Sequence, residues 1–564
     1  MCVLREEDAT AQRRPFPLNR WVSLVPSLSD VALLMPILVL FRCTMGVGWL
    51  LSDSDTGWHI RTGEWILRNW RIPSTDLFSF TRTDQPWFAW EWLSDVSMAA
   101  AHSLFGLGGI VLLSLLVLGA TSLCIYKNTV EESEHGLVAI SLTGLAMAAS
   151  TIHWLARPHL VTPLFAAVFC SVLNRVEKTG EERFLLLLPA LTILWVNLHG
   201  GFFVGIILLT TYGLGTATEE LVHGKRNRGW VRARKYLLAA GACLVASLVN
   251  PYGYRLHVHV AQYLGSSFYF KRISEFQSVD FHSFTAAYFE TLLVLAIAAA
   301  AWHLGKGRLI QALLLLSWSH FALFSVRNVP IFAAVSAPGI GLAIRDWFQF
   351  ASSRWPVDWR RKLVASLDEL ETGLRVIATN EHRRHWHLAP WITILLLALL
   401  LAHPGHVKAL HADFDTSAFP VDAATFLSRK GPALPLRLYG SWQWGGYLIY
   451  RLWPSVRVFD DGRTDFYGPR FVEEELRAWE VRPDWVDIFE KYQVNAALVP
   501  VDSALATVFE ERADWKLVYS DRVALMFVKI EESEMRAAQS RGEVRAESDW
   551  RGPYAGDKRN CEHR

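Results

Sequence analysis

The chain has 564 residues, 52% of them hydrophobic, with 25 Trp and a mean hydropathy of +0.20. So apolar a composition, gathered into runs, excludes a soluble globular protein and points to a polytopic membrane protein. A formal net charge of +2 says little by itself, and no nucleic-acid partner is expected.

Residues 1–30 read as a cytoplasmic lead holding Arg13, Arg14 and Arg20. The first apolar run, Val31–Phe41, opens a span that reaches about residue 51. No convincing small-residue cleavage site accompanies it, so it reads as a retained helix rather than a signal peptide. A loop over 52–95 follows, dense in acidic, basic and aromatic side chains. Within it Glu64–Trp70 suits a short amphipathic helix at the membrane interface, broken at Pro73.

Further runs, among them Ile110–Ala120, Phe184–Val196, Phe202–Thr210, Tyr236–Leu248, Thr291–Trp302 and Trp391–Ala402, carry almost no charge. Crossing a bilayer takes about 20 mostly apolar residues, and on that criterion a transmembrane domain over 31–404 holds about eleven spans. Basic segments at Lys225–Lys235 and Arg345–Arg384 join the lead on the cytoplasmic side under the positive-inside rule. The loops 52–95 and 251–285 and the C-terminal region then face outward from the cytoplasmic (inner) membrane. Of the six cysteines, Cys43, Cys124, Cys170 and Cys243 lie in apolar segments; no disulfide framework or zinc spacing is present.

From about 405 the composition changes. Strand-like runs Arg437–Tyr439, Arg457–Phe459, Ala496–Pro500, Lys516–Tyr519 and Ala524–Lys529 alternate with helical patterns at Asp422–Ser428 and Asp484–Tyr492. This predicts an extracytoplasmic α/β domain over 405–530. The polar residues 531–564 read as a disordered tail.

Chemistry is expected first at Asp53 and Asp55. Carboxylates two apart on an extended segment point roughly the same way. They can reach a divalent cation, Mg²⁺ or Mn²⁺ suiting oxygen ligands, or one can act as general base toward an acceptor hydroxyl. His59 and Arg61 would supply hydrogen bonds and positive charge to a phosphate leaving group. The plainer alternative is a solvated loop whose acid caps a helix starting near Gly57.

Arg157, His159, Asn197, His199 and Arg327 lie near predicted outer ends of spans. Ionisable groups there are costly unless they face a cavity or a partner. A shared polar cavity is one reading; snorkelling or helix-end hydrogen bonds are the other. Glu91 and Glu275, in the two outer loops, complete the candidate binding set. In the C-terminal domain Trp442 and Trp444 adjoin Gly445 and Gly446, either as a flat aromatic surface for sugars or peptides or as core packing of a strand–turn unit. Asp460 and Asp461 before Gly462 suit a turn.

Taken together, these residues resemble the GT-C superfamily of polyprenyl-phosphate-sugar-dependent glycosyltransferases. Asp53–Arg61 is similar to that superfamily's first outer loop, with Asp53 and Asp55 at the acidic positions. Ser441–Ile449 followed by Val458–Gly462 is similar to the W-W-D-Y-G region of oligosaccharyltransferase catalytic subunits, with Gln443 in place of the acidic residue. The resemblance implies a membrane glycosyltransferase with a lipid-linked sugar donor drawn from among the membrane lipids, and a glycan, lipid or protein acceptor. The absence of a nucleotide-binding loop fits such a donor. A metal is conditional, since many such enzymes need none. A transporter or flippase of lipid-linked glycans, or a membrane-anchored assembly protein, remains as an alternative.

Overall fold

The computed structural model describes residues 26–43, 46–223, 228–354, 358, 362, 388–403, 405, 407–430 and 436–530. The expected tail, and most of the lead and of the basic segment 345–388, lie outside the described residues. The chain divides into two compact units. The first comprises residues 1–77 and 84–415; the second comprises 78–83 and 416–564.

The first unit is helical. Among the described residues, six helices are long and apolar enough to cross a membrane: Trp92–Ser133, Gly136–His153, Pro158–Thr179, Gly200–Val222, Ala286–Gly305 and Val326–Ala351. Leu309–Phe324 and Pro390–Ala402 are apolar but shorter. This standard is therefore met by fewer helices than the eleven or so spans expected. Hydroxyls inside the apolar stretches turn back onto their own backbone: Thr129 donates to the Ile125 carbonyl (2.7 Å), Thr143 to Ala139 (2.7 Å) and Thr192 to Leu188 (2.8 Å). Without water in a hydrocarbon core, such internal satisfaction lets a polar residue sit there.

The first loop differs from expectation. A helix runs over Asp55–Asn69, so the acidic pair lies at a helix start and not on an extended segment. Gly63 explains where this loop helix packs. A β-carbon there would sit 1.9 Å from the Asp95 carbonyl oxygen and 2.7 Å from the Ala99 β-carbon, so only glycine allows the helix to press onto the start of Trp92–Ser133. Trp70 ends the helix in a left-handed conformation (φ 53°) and is 90% exposed.

The region 251–285 also folds into helices, Tyr254–Leu264 and Ser267–Arg272, followed by a tight turn Ser274–Phe276. That turn is stitched to residues 325–328. The Ser325 hydroxyl donates to the Glu275 carbonyl (2.8 Å), and the Val326 amide donates to the Gln277 carbonyl (2.9 Å).

The second unit is an α/β domain. Strands β1 (Arg437–Gly440), β2 (Arg457–Val458), β3 (Ala496–Pro500), β4 (Trp515–Ser520) and β5 (Ala524–Lys529) form one sheet in the order β2-β1-β3-β5-β4. β1 runs parallel to β2 and β3, while β5 is antiparallel to β3 and β4. Residues 78–83 belong to this unit although they fall within the predicted loop: the Phe80 amide donates to Val458 (3.0 Å), and the Val458 amide to Phe78 (3.1 Å). The segment thus covers the backbone edge of β2, an edge that otherwise invites foreign strands.

Trp442 and Trp444 open a helix, Trp442–Leu452, in place of the expected strand–turn unit. Trp444 is buried and its indole N–H donates to the Ala418 carbonyl (2.9 Å), whereas Trp442 is 39% exposed. No flat two-Trp surface forms, because helical spacing turns the two rings apart. Gly445 brings this helix against the chain after β2: a β-carbon would lie 2.3 Å from the Asp460 carbonyl oxygen. Asp461 does more than shape a turn there, pairing with buried Arg463 (2.7 Å) and accepting from the Tyr467 hydroxyl (3.0 Å).

Candidate active site

Three segments of the first unit, far apart in sequence, bring charged side chains to one place. Asp53 and Asp55 enter at the start of the loop helix, Arg157 from the extended residues between Gly136–His153 and Pro158–Thr179, and Glu275 from the tight turn. The Arg157 guanidinium holds all three acids. Its Nη1 lies 2.8 Å from Asp53 Oδ2 and 2.7 Å from Glu275 Oε1, and its Nη2 lies 3.2 Å from Asp55 Oδ2. Asp53 Oδ1 accepts the Asp55 amide (2.8 Å), which satisfies a donor the helix start leaves open. Asp53 therefore has one oxygen on the backbone and one on Arg157, while Asp55 is the more deeply buried of the pair at 6% exposure.

Burial pushes the Glu275 carboxyl up, but Arg157, His153 and Arg327 outweigh it and hold the group well below the usual carboxylate range. Arg327 stands over the Phe276 ring, 4.7 Å from its centroid, next to the Glu275 turn. The site thus contains three carboxylates and two guanidinium groups, all supplied by segments joining helix ends.

A second set of groups lies along the loop helix and the start of Trp92–Ser133. His59 Nδ1 is 2.6 Å from Asp95 Oδ1, and the ring stacks on Trp58 at 3.6 Å between centroids. Because Asp95 accepts, Nδ1 carries the proton and Nε2 faces Glu91 Oε2 at 3.8 Å. The other Glu91 oxygen, Oε1, is 3.4 Å from His199 Nε2. The Gly201 amide donates to His199 Nδ1 (3.0 Å), so Nδ1 is an acceptor and the N–H of a neutral ring points at Glu91. His59 and His199 are therefore both arranged around Glu91.

His159 places its Nε2 3.1 Å from the His153 carbonyl, with the two rings 4.3 Å apart, beside Arg157 in the chain. Arg61 has a partner of its own. It pairs with Glu64 at 2.7 Å on its own helix, with Arg68 and His102 also near Glu64. Helical geometry is the reason: Asp55 and His59, four apart, share a face that Arg61 leaves. Trp442 and Trp444 belong to the second unit. Asn197 is a tie, accepting from the Trp92 indole (2.8 Å) and donating to Val249 (2.9 Å).

The sequence does not mark Asp95 as a partner of His59, its local signal being a place near the start of an apolar helix. Its separation of 36 residues from His59 has no periodicity to reveal it. The conditional metal also looks different. Among the described residues no group of three or more His, Cys, Asp or Glu side chains is arranged to hold a metal ion. Asp53, Asp55 and Glu275 each direct an oxygen at Arg157, so these acids do not form an oxygen cage of the kind Mg²⁺ or Mn²⁺ requires.

No family model matches the sequence, and no curated protein matches it. Solved structures do. The oligosaccharyltransferase of Archaeoglobus fulgidus in its apo form aligns with a TM-score of 0.52 at 12% identity, covering 86% of this chain and 70% of that one. The archaeal oligosaccharyltransferase AglB from Archaeoglobus fulgidus, in complex with an inhibitory peptide and a dolichol-phosphate, gives 0.49 at 12% identity over 89% of this chain and 74% of that one. ArnT from Cupriavidus metallidurans bound to undecaprenyl phosphate gives 0.45 at 18% identity over 88% and 98% respectively. At TM-scores below 0.5 the last two add no weight, and the first bears on fold alone. The chain is a polytopic membrane protein whose fold is distantly similar to that of the Archaeoglobus fulgidus oligosaccharyltransferase.

Proposed function

We propose that this chain is a membrane glycosyltransferase that moves a sugar from a polyprenyl-phosphate-type lipid to an acceptor on the outer face of the cytoplasmic membrane. The observation that carries the reading is the meeting of Asp53, Asp55, Arg157 and Glu275, with Arg327 beside them, at helix ends of an apolar bundle. A lipid-borne donor reaches such a place sideways from the bilayer, with its phosphate at the polar boundary. In this reading five further helices that are too short or not apolar enough for that standard, Leu28–Cys43, Leu187–Leu198, Arg228–Ala246, Leu309–Phe324 and Leu388–Ala402, also cross or enter the membrane, bringing the six to about eleven. The N-terminus is cytoplasmic, and the loops and α/β domain are outside.

Asp55 is the general base. It takes the proton of the acceptor hydroxyl as that oxygen bonds to the anomeric carbon; the bond from that carbon to the phosphate oxygen breaks, and its electron pair leaves with the lipid phosphate. Arg157 and Arg327 stabilise the growing charge, which fixed cations at a water-poor boundary do effectively. Asp53 and Glu275 hold Arg157 in place. His59, His199 and Glu91 form a polar wall beside the base.

The test is mass spectrometry of surface glycans from cells with and without the protein, complemented by Asp55→Asn. Loss of a glycan in the deletion, and its continued absence with normally expressed Asp55→Asn, is expected. Unchanged glycans in both strains would remove the enzymatic reading.

A further inference from the structure

Elsewhere among the described residues Arg308 pairs with a single acid of a neighbouring helix, Asp346, at 2.7 Å. The acid cluster is different, because one cation gathers three carboxylates from segments separated by 104 and 118 residues. Divalent cations commonly do this work, binding oxygens from several loops at about 2.0–2.6 Å.

We propose that the Arg157 guanidinium is the built-in cation of this site, occupying the position among Asp53, Asp55 and Glu275 that a divalent metal would otherwise take. The inference rests on the cluster's geometry and holds whatever substrate the site accepts. A guanidinium is planar and always charged, and its N–H groups lie in a fixed fork matched to carboxylates. Here three contacts are made from two terminal nitrogens, at 2.7, 2.8 and 3.2 Å. Nη1 donates hydrogen bonds to Asp53 and Glu275 and Nη2 forms an ion pair with Asp55, so both terminal nitrogens of the fork are committed to carboxylates. Burial lowers the charge affinity of Arg157, but Glu275, Asp53 and Asp55 more than restore it, so the cation is permanent. A dication placed beside it would meet a fixed like charge within a few ångströms and acids whose inward oxygens are already engaged. Arg157 is thus both a positioning residue for Asp55 and the group that makes the site independent of metal supply.

Mn²⁺ binding to the purified full chain in detergent, followed by electron paramagnetic resonance after chelator stripping, tests this without turnover. The wild-type protein should show no site tighter than about millimolar. Arg157→Ala should gain one Mn²⁺, bound at least about tenfold more weakly when Glu275→Gln is added, and Arg157→Lys should gain none. A tight Mn²⁺ site in the wild-type protein that weakens in Asp55→Asn or Glu275→Gln overturns the proposal. So does a folded Arg157→Ala protein that gains no site. If Arg157→Ala fails to fold, the wild-type measurement decides the matter, with Arg157→Gln carrying the gain-of-binding arm.

Discussion

Asp460 and Glu475 sit in the second unit, 7% and 2% exposed, and Asp460 Oδ1 and Glu475 Oε1 have no hydrogen-bond partner among the described residues. Burial pushes the Glu475 carboxyl up to about 8 and Asp460 well above its ordinary value, the latter helped by Glu475 and Asp461. Asp461 is itself matched by Arg463. Residues 78–83 and 416–530 contain no His and no Cys. The slope of stability with pH between 5.5 and 7.5 is therefore carried chiefly by the buried pair. An acid whose folded pKa is raised keeps a proton that the unfolded chain releases. The stability it allows is complete below the unfolded value and is lost as pH rises toward the folded one. One proton retained by the pair costs about 1.4 kcal/mol per pH unit, or about 2.7 kcal/mol over that window, and two retained protons cost twice as much. Urea unfolding of the full chain in detergent, read by pulse proteolysis of the fragment spanning the sheet, measures it. The wild-type domain should be weaker at pH 7.5 than at pH 5.5 by that amount, and the Asp460→Asn, Glu475→Gln double variant should be nearly flat and the more stable at pH 7.5. A flat wild-type profile, or an unchanged slope in the double variant, refutes the assignment of a buried protonated pair.

Other outcomes follow from the same geometry. Asp95→Asn replaces a charge-assisted hydrogen bond to His59, so transfer should fall by about 10- to 100-fold in a membrane-fraction assay while the protein's detergent melting temperature moves little. Gly63→Leu must push the loop helix off Trp92–Ser133, and hydrogen exchange of Asp55–Asn69 should rise to that of an undocked helix; unchanged protection would contradict the close approach. Arg61→Gln breaks a partly exposed pair within one helix and should cost about 1 kcal/mol in thermal unfolding. Thr81→Ala, by contrast, removes the hydroxyl bond to the Phe459 carbonyl (2.6 Å), and protease nicking within 78–83 should become faster.

Membrane-spanning character was legible from the residues, because length and hydropathy are local quantities and a bilayer leaves the backbone few solutions. The strands of the α/β domain were legible for a similar reason: alternation and β-branched or aromatic runs mark them, and predicted and observed limits agree within a residue or so, as at Ala496–Pro500 and Ala524–Lys529. The acidic start of the first loop stood out by composition alone. What Asp53 and Asp55 face did not, since Arg157 and Glu275 come from loops over a hundred residues away, and nothing in the spacing of either says so. Arg61 looked equivalent to His59 until the segment proved helical, when a 100° turn per residue sent the two side chains to different neighbours. Trp442 and Trp444 separated in the same way. Residues 78–83 look like loop in sequence because they pair with β2 only through backbone groups, and backbone pairing leaves little mark on side-chain pattern. Local periodicity is written in neighbouring residues, whereas a site made by joining loop ends is decided by how the helices pack.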